Sequence, residues 1–250
     1  MAQRFPLDNR TVLLTGASSG VGATLLKRLL GRGCEVIAWS RRPPELTSGK
    51  LHHEAVDLSD MDALDDALGR LVERHPDLSL VINNAGVGER SDFRKMPPDE
   101  LDRLAEMQIA VNLRAPIRIT QHLFAHLAAK DSAMIVNNTS GLAVAPSRKN
   151  PVYCATKAGL RSFTFSTRYQ AERAGGGLKV VEVLLPLVET PMTVSFGGRS
   201  KLSADKAADR IVRGIERAEP EIWVGQAAIL KRLVSVSPGL ARRLIKVAAG

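Results

Sequence analysis

The sequence predicts a doubly wound α/β fold, a parallel sheet with helices on both faces, built as a single domain. Three observations predict it. Short β-like runs alternate with longer helical patterns along the whole chain. Several of those runs are apolar without alternation, as strands become when both faces of a sheet are covered. A glycine-rich turn, Thr15-Gly-Ala-Ser-Ser-Gly-Val-Gly22, lies between the first run and the first helix. The 250 residues suit one such domain with a sizeable core, and 44% hydrophobic with 24% charged residues argues against disorder or a fibrous repeat.

In chain order, the predicted strands are residues 12–14, 34–39, 54–56, 78–82, 133–136 and 178–185. Ser59-Asp-Met-Asp62 reads as a helix start, followed by Met61, Leu64, Leu68, Leu71 and Val72 at helical spacing. Pro97-Pro-Asp-Glu100 starts another helix, which runs through Asn112 and Pro116, where the proline is expected to bend or break it. The helix carrying Tyr153 ends at Gly175-Gly-Gly177. Beyond Leu187 the alternation lapses into Glu189-Thr-Pro-Met-Thr-Val-Ser-Phe-Gly-Gly198, expected to be a mobile lid. Residues 1–225 form the main domain in this reading, and 226–250 a basic amphipathic tail of two short helices, 227–236 and 240–247. Leu240, Leu244 and Val247 can share a face beside Arg242, Arg243 and Lys246. That pattern suits packing on the domain or a partner subunit, and also weak peripheral contact with an anionic membrane.

The net charge of +9 invites a nucleic-acid reading, but the bases are scattered from Lys27 and Arg28 through Arg161 to Arg242, often beside acids. No zinc-finger spacing or aromatic-rich strand accompanies them, so no specific nucleic-acid partner is expected. Cys34 and Cys154 sit in apolar segments without metal-ligand spacing, which predicts no metal site and fits a reducing compartment. The opening residues lack the apolar stretch of a signal peptide, and no run reaches the roughly 18 uncharged apolar residues of a spanning helix. A cytoplasmic location is expected.

Chemistry concentrates in Pro151-Val-Tyr-Cys-Ala-Thr-Lys157, which places a phenol and an ammonium one helical turn apart. A lysine beside a tyrosine favours phenolate and lowers a pKa that starts near ~10, which makes the tyrosine a usable acid or base. The pair alone also suits a half-buried tyrosine beside a solvated lysine. Context comes from the glycine turn, where Gly16, Gly20 and Gly22 let backbone approach a ligand and the following helix N-terminus offers free N–H groups to a pyrophosphate. Asn83-Asn-Ala-Gly86 follows the fourth strand, Asn112 lies on the next helix, and Ser140 precedes Tyr153 by thirteen residues.

On these residues the chain resembles the short-chain dehydrogenase/reductase family in its compact form, over nearly its whole length. Ser140-Gly-Leu-Ala, Pro151-Val-Tyr-Cys-Ala-Thr-Lys157 and Pro186-Leu-Val are similar to a bacterial subgroup named for its association with D-alanine transfer to teichoic acids. The resemblance implies a Rossmann-type doubly wound sheet and a catalytic quartet of Asn112, Ser140, Tyr153 and Lys157. Its activity would be NADP(H)-dependent interconversion of a ketone or aldehyde and an alcohol by hydride transfer. Tyr153 would exchange the proton as general acid or base, and Ser140 would position the reacting oxygen. Lys157 would lower the Tyr153 pKa and hold the nicotinamide ribose, while Asn112 anchors a water linking Lys157 to solvent. Implied cofactor contacts are Gly16, Ser18, Ser19, Gly20, Val21, Asp57, Leu58, Asn84, Ala85, Gly86, Val188 and Thr190, together with Tyr153 and Lys157. Asp57 reads either as the family's adenine-contacting acid or as a strand-end turn acid. A homodimer or homotetramer is implied as well.

One segment departs from the family pattern. Its Pro-Gly-x-Val-x-Thr is here Pro186-Leu-Val-Glu-Thr190, with leucine in the glycine's place and the spacing shortened, which unsettles the backbone course near Leu187 and the pocket shape. At the second strand's end, Ser40 stands where an acid would hold the 2′-hydroxyl of NAD, and Arg41 follows it, ahead of Arg42. A guanidinium grips phosphate through paired hydrogen bonds, so NADP(H) is the expected cofactor. Met192, Phe196, Val144, Arg148 and Lys149 are expected to border the pocket of a small-molecule substrate. A non-catalytic NADP(H)-sensing protein is the alternative, against which the complete quartet argues.

Overall fold

The computed structural model describes residues 4–194, 201–237 and 239. Among these, seven strands form one parallel sheet: β1 (Thr11–Thr15), β2 (Glu35–Trp39), β3 (Leu51–Glu54), β4 (Leu78–Asn83), β5 (Ala133–Ser140), β6 (Leu178–Leu185) and β7 (Glu221–Trp223). Their order is β3-β2-β1-β4-β5-β6-β7, with every neighbouring pair parallel. The helices are α1 (Gly20–Leu30), α2 (Met61–Arg74), α3 (Pro98–Ile109), α4 (Ala115–Ala128), α5 (Pro151–Ala174), α6 (Ala204–Glu216) and α7 (Ala227–Val236).

Both faces of the sheet are covered, which is why β1, β4 and β5 are buried at every position and show no alternation. On one face Leu25, Leu26 and Leu29 of α1 pack with Ile211 and Ile215 of α6; on the other, Leu64, Leu68 and Leu71 of α2 pack with Ile119, Leu123 and Leu127 of α4. Each fully buried leucine contributes about 1.5–3 kcal/mol. Cys34 and Cys154 are buried and free, and burial pushes both thiols up, so they serve as packing.

Three elements differ from expectation. The third strand lies at Leu51–Glu54 rather than 54–56: it is the sheet edge, a half-exposed Leu-His-His-Glu run paired through its backbone to β2, while buried Val56 belongs to the following connection. β7 was not expected, since three residues carry too little periodicity to read. The long helix is interrupted at Ala110–Arg114 by a π turn, just before Pro116, where a ring without an N–H could not close the regular ladder.

The strand order reverses between β1 and β4, and the carboxyl ends of β1, β4, β5 and β6 open onto one crevice there. α7, the first predicted tail helix, packs on the domain through Ala227 against Leu184 and Trp223, and through Leu230 against Ala145. The second, 240–247, lies outside the described residues. So do 195–198 of the predicted lid, Phe196 included.

Candidate active site

Each loop of the crevice leaves the carboxyl end of a strand, so the sheet fixes where the motifs meet. The glycine turn leaves β1 with Gly16 and Gly20 at φ +70 and +55. These are left-handed values that strain any residue with a Cβ. A Cβ on Gly16 would lie 2.8 Å from the Ala85 Cα, one on Gly20 2.8 Å from the Thr190 Cγ2, and one on Gly22 2.0 Å from the Gly16 carbonyl oxygen. The three glycines therefore let the turn touch the Asn84-Ala85-Gly86 segment and the loop after β6 at once. Thr15 Oγ1 accepts the N–H groups of Asn84 and Ala85, both at 3.0 Å, and Asn84 Nδ2 donates to the Thr15 carbonyl at 3.0 Å.

These segments wall a cleft of about 950 Å³. Gly16, Ser18, Ser19, Gly20 and Val21 line it from the turn, Ser40 and Arg41 from the end of β2, and Asp57 and Leu58 from beyond β3. Asn84, Ala85 and Gly86, then Ser140, Tyr153 and Lys157, then Val188 and Thr190 complete the set. Among the predicted residues Asn112 stands apart. It is fully buried behind the cleft, where its Nδ2 donates to the Val87 carbonyl at 2.7 Å and its Oδ1 accepts the Val87 N–H at 2.8 Å. The π turn that carries it thus holds the Asn84–Val87 wall in place.

Tyr153 and Lys157 sit on consecutive turns of α5. Lys157 is 4% exposed, its Nζ donates to the Asn138 carbonyl at 2.8 Å, and burial lowers its pKa to about 8. Its Nζ lies 5.8 Å from the Tyr153 ring centre. Burial pushes the Tyr153 phenol up to about 12, opposed by its hydrogen bond with Ser140. The expected lowering of the Tyr153 pKa by Lys157 is not what the structure shows: the phenol is raised, because desolvation disfavours the charged form of each group. Ser140 Oγ also accepts the Leu142 N–H at 3.1 Å. One turn beyond Lys157, Arg161 pairs with the buried Glu182 of β6 and, at 2.8 Å, with Glu221 of β7.

At the far end, Ser40 Oγ donates to the Arg42 carbonyl at 2.8 Å, while Arg41 and Arg42 are exposed. Asp57 accepts the Ser59 N–H at 2.9 Å and hydroxyl at 2.7 Å. Burial pushes its carboxyl up, but those bonds and the Arg41 charge hold it below the usual range. Asp57 is thus both a turn acid and a cleft residue.

Leu187 takes the glycine's place without strain, because among the described residues positive φ outside glycine occurs at Asn9 and Ala218 alone. Its carbonyl accepts the Leu202 N–H at 3.0 Å, and Thr193 Oγ1 donates to the Val188 carbonyl at 2.6 Å. Met192 and Lys149 line the cleft as expected, Val144 packs against α7, and Arg148 is not in the lining.

Two contributions escaped the sequence reading. Asn138 is 2% exposed, donates Nδ2 to Asn84 Oδ1 at 2.9 Å, and leaves its own Oδ1 without a partner. The signal was present, since the apolar run Ala133–Val136 passes directly into the polar Asn137-Asn138-Thr139-Ser140, and polar side chains in a core strand need partners. α7 also borders the cleft, through Ala227, Ile229, Leu230 and Leu233.

The sequence matches the model of the short chain dehydrogenase family over residues 10–199. It is 32% identical over 226 residues to an uncharacterised oxidoreductase, DltE, of Bacillus subtilis strain 168, covering 86% of this chain and 88% of that protein. The fold superposes on a short chain dehydrogenase from Burkholderia cenocepacia J2315 in complex with NADP, with a TM-score of 0.85 at 21% identity, over 96% of this chain and 99% of that one. A 3-ketoacyl-(acyl-carrier-protein) reductase from Brucella melitensis complexed with NADH gives 0.76 at 23% identity, over 88% and 99%. The chain belongs to the short-chain dehydrogenase family of oxidoreductases.

Proposed function

We propose that this protein is an NADP(H)-dependent oxidoreductase that interconverts a ketone or aldehyde and the corresponding alcohol, with Tyr153 as the proton donor and acceptor. The observation that carries the reading is the presence of Ser140, Tyr153 and Lys157 in the same cleft as the glycine cradle. The residues present fit a dinucleotide, since the glycine turn brings backbone to the cleft lining and α1 presents its N-terminus there. Gly16, Ser18, Ser19, Gly20, Val21, Asp57, Leu58 and the Asn84–Gly86 segment would hold it, with Val188 and Thr190 at its other end. Bound NADPH supplies the hydride. Ser140 Oγ holds the substrate oxygen beside the Tyr153 hydroxyl. The Tyr153 phenol is protonated at neutral pH and so carries the proton that a carbonyl oxygen takes up in reduction, while burial, which pushes it up to about 12, by itself makes it a weaker donor. Lys157 holds the cofactor ribose, and Asn112 keeps the wall beside them in register.

Arg41 and Arg42 at the rim, with no acid at Ser40, support the 2′-phosphate of NADP(H) over NAD(H). In the same reading 1–225 is the catalytic domain and 226–250 its tail, the protein is cytoplasmic, and it works as a homodimer or homotetramer. Among the described residues no helix is long and apolar enough to cross a membrane. The test is NADPH oxidation against a panel of ketones and aldehydes. Turnover supports the reading, whereas tight cofactor binding without turnover of any member would favour a sensing protein.

A further inference from the structure

The reactive end of the cleft is bounded on one side by apolar side chains that no part of the proposed chemistry uses. The Ser140-Gly141-Leu142 turn carries the reacting group, and α7 rests directly on it: a Cβ on Gly141 would lie 3.2 Å from a Leu230 methyl and 4.0 Å from the Ala227 Cβ. Met192 stands near Tyr153, since a Cβ built on Gly88 would lie 3.0 Å from the Tyr153 ring and 3.7 Å from the Met192 sulfur. Leu142, Leu187, Met192, Ile229, Leu230 and Leu233 line this wall, and none of them carries a charge or a hydrogen-bonding side chain. Part of it is open to water: Ile229 is 63% exposed and Met192 42%. Arg90, Ser147, Lys149 and Asn150 enter the cleft from other connections, and Gln226, Thr190 and Thr193 line it beside the wall, so the apolar stretch is the part of α7, the Ser140 turn and the loop after β6 that the six residues form.

An apolar surface left in water beside a reacting group is stabilised when a ligand covers it. We propose that the substrate carries a hydrocarbon chain on its carbonyl carbon, and that this chain lies along the wall of Leu142, Met192, Ile229 and Leu233. The proposal rests on the carbonyl–alcohol reading above. It gives α7 a role: the helix supplies the surface that selects for chain length. A buried methylene is worth about 0.8 kcal/mol, so kcat/KM should rise by up to about fourfold per methylene until the chain outgrows the wall.

The experiment measures kcat/KM with saturating NADPH for homologous n-alkanals, 2-alkanones and 3-oxo esters of increasing length. Wild type and two single variants, Ile229→Ser and Met192→Ser, are compared. Both positions are exposed enough for serine to be tolerated by the fold. A steep rise in the wild type and a shallower slope in each variant, whatever the absolute rates, is the expected result. Turnover without chain-length dependence overturns the inference and leaves the carbonyl reading standing, as does a slope equally steep in both variants. NADPH binding with no turnover of any member overturns the reading and the inference together.

Discussion

Burial acts on Tyr153 and Lys157 in the same sense, disfavouring the charged form of each, and leaves a phenol near 12 beside an amine near 8. The first outcome concerns chemistry. Tyr153→Phe removes the transferable proton but little of the packing, so turnover should fall by about 10²-fold or more while NADPH affinity holds, read by steady-state kinetics and cofactor fluorescence titration. Equal activity of the variant would remove Tyr153 from the mechanism. The second concerns pH. Between about 8 and 10.5 the folded Lys157 has shed a proton that the unfolded chain keeps, so this group makes stability rise with pH across that window. Tyr153 acts oppositely from 10 to about 12, where the folded phenol keeps a proton that the unfolded chain has lost. Melting temperatures of Lys157→Met and wild type should therefore converge, or cross in favour of wild type, as pH rises through the lysine window; a constant offset would mean that Lys157 is not desolvated. A third outcome concerns the cofactor's far end. Arg41→Ala should weaken NADPH about ten- to a hundredfold through loss of a charged hydrogen bond worth roughly 1.5–3 kcal/mol, with NADH barely affected. Equal losses for both cofactors would sink the 2′-phosphate assignment.

At the scale of elements, the glycine turn and α2 offer a matched pair of substitutions. Gly22→Ala places a Cβ 2.0 Å from a backbone oxygen, so α1 must move and cofactor binding should be lost with stability. Gly69→Ala in α2 meets nothing within 4 Å and should raise stability by about 0.5–1 kcal/mol in denaturant unfolding. If both alanines behaved alike, the close approach would not be what glycine serves at position 22. The same elements show what a sequence can disclose. The turn, the Asn83–Gly86 segment and the α5 pair were legible because each needs particular residues at fixed spacing. β3 and β7 were not, because an edge strand held by backbone bonds to one neighbour needs no apolar pattern. Pro116 announced an interruption, but the π turn that turns Asn112 toward Val87 depends on packing between α3, α5 and the sheet. α7 read as an amphipathic helix, yet its contact with the Ser140 turn is a matter of tertiary placement that local periodicity does not encode.

The whole molecule gathers motifs from across the chain because parallel strands all end on the same side. The order reversal between β1 and β4 then leaves a crevice where those ends meet. The parallel sheet with covered faces followed from alternation; its strand order did not, nor did the apolar wall beside Tyr153. The basic tail carries a remaining outcome at this scale. If it adds attachment to anionic lipid, the full chain should co-sediment with anionic but not neutral vesicles, and less so as salt rises. Binding that survives truncation after Gln226, or none at all, would leave the tail to packing. The ion pairs of Arg161 with Glu182 and Glu221 bear on the molecule's history more than on its turnover. With Lys157 held to the Asn138 carbonyl and Asn137 Nδ2 bonded to Thr164 Oγ1 at 2.9 Å, α5 is pinned to β5, β6 and β7 at successive turns. The apolar wall proposed to meet the substrate is formed instead by a loop and by α7, which rests on Leu184, Trp223 and Ala145. On the proposed reading, drift in that wall would change what is accepted while the pinned helix keeps Tyr153 and Lys157 where they are, so new substrate ranges would be reachable without rebuilding the chemistry.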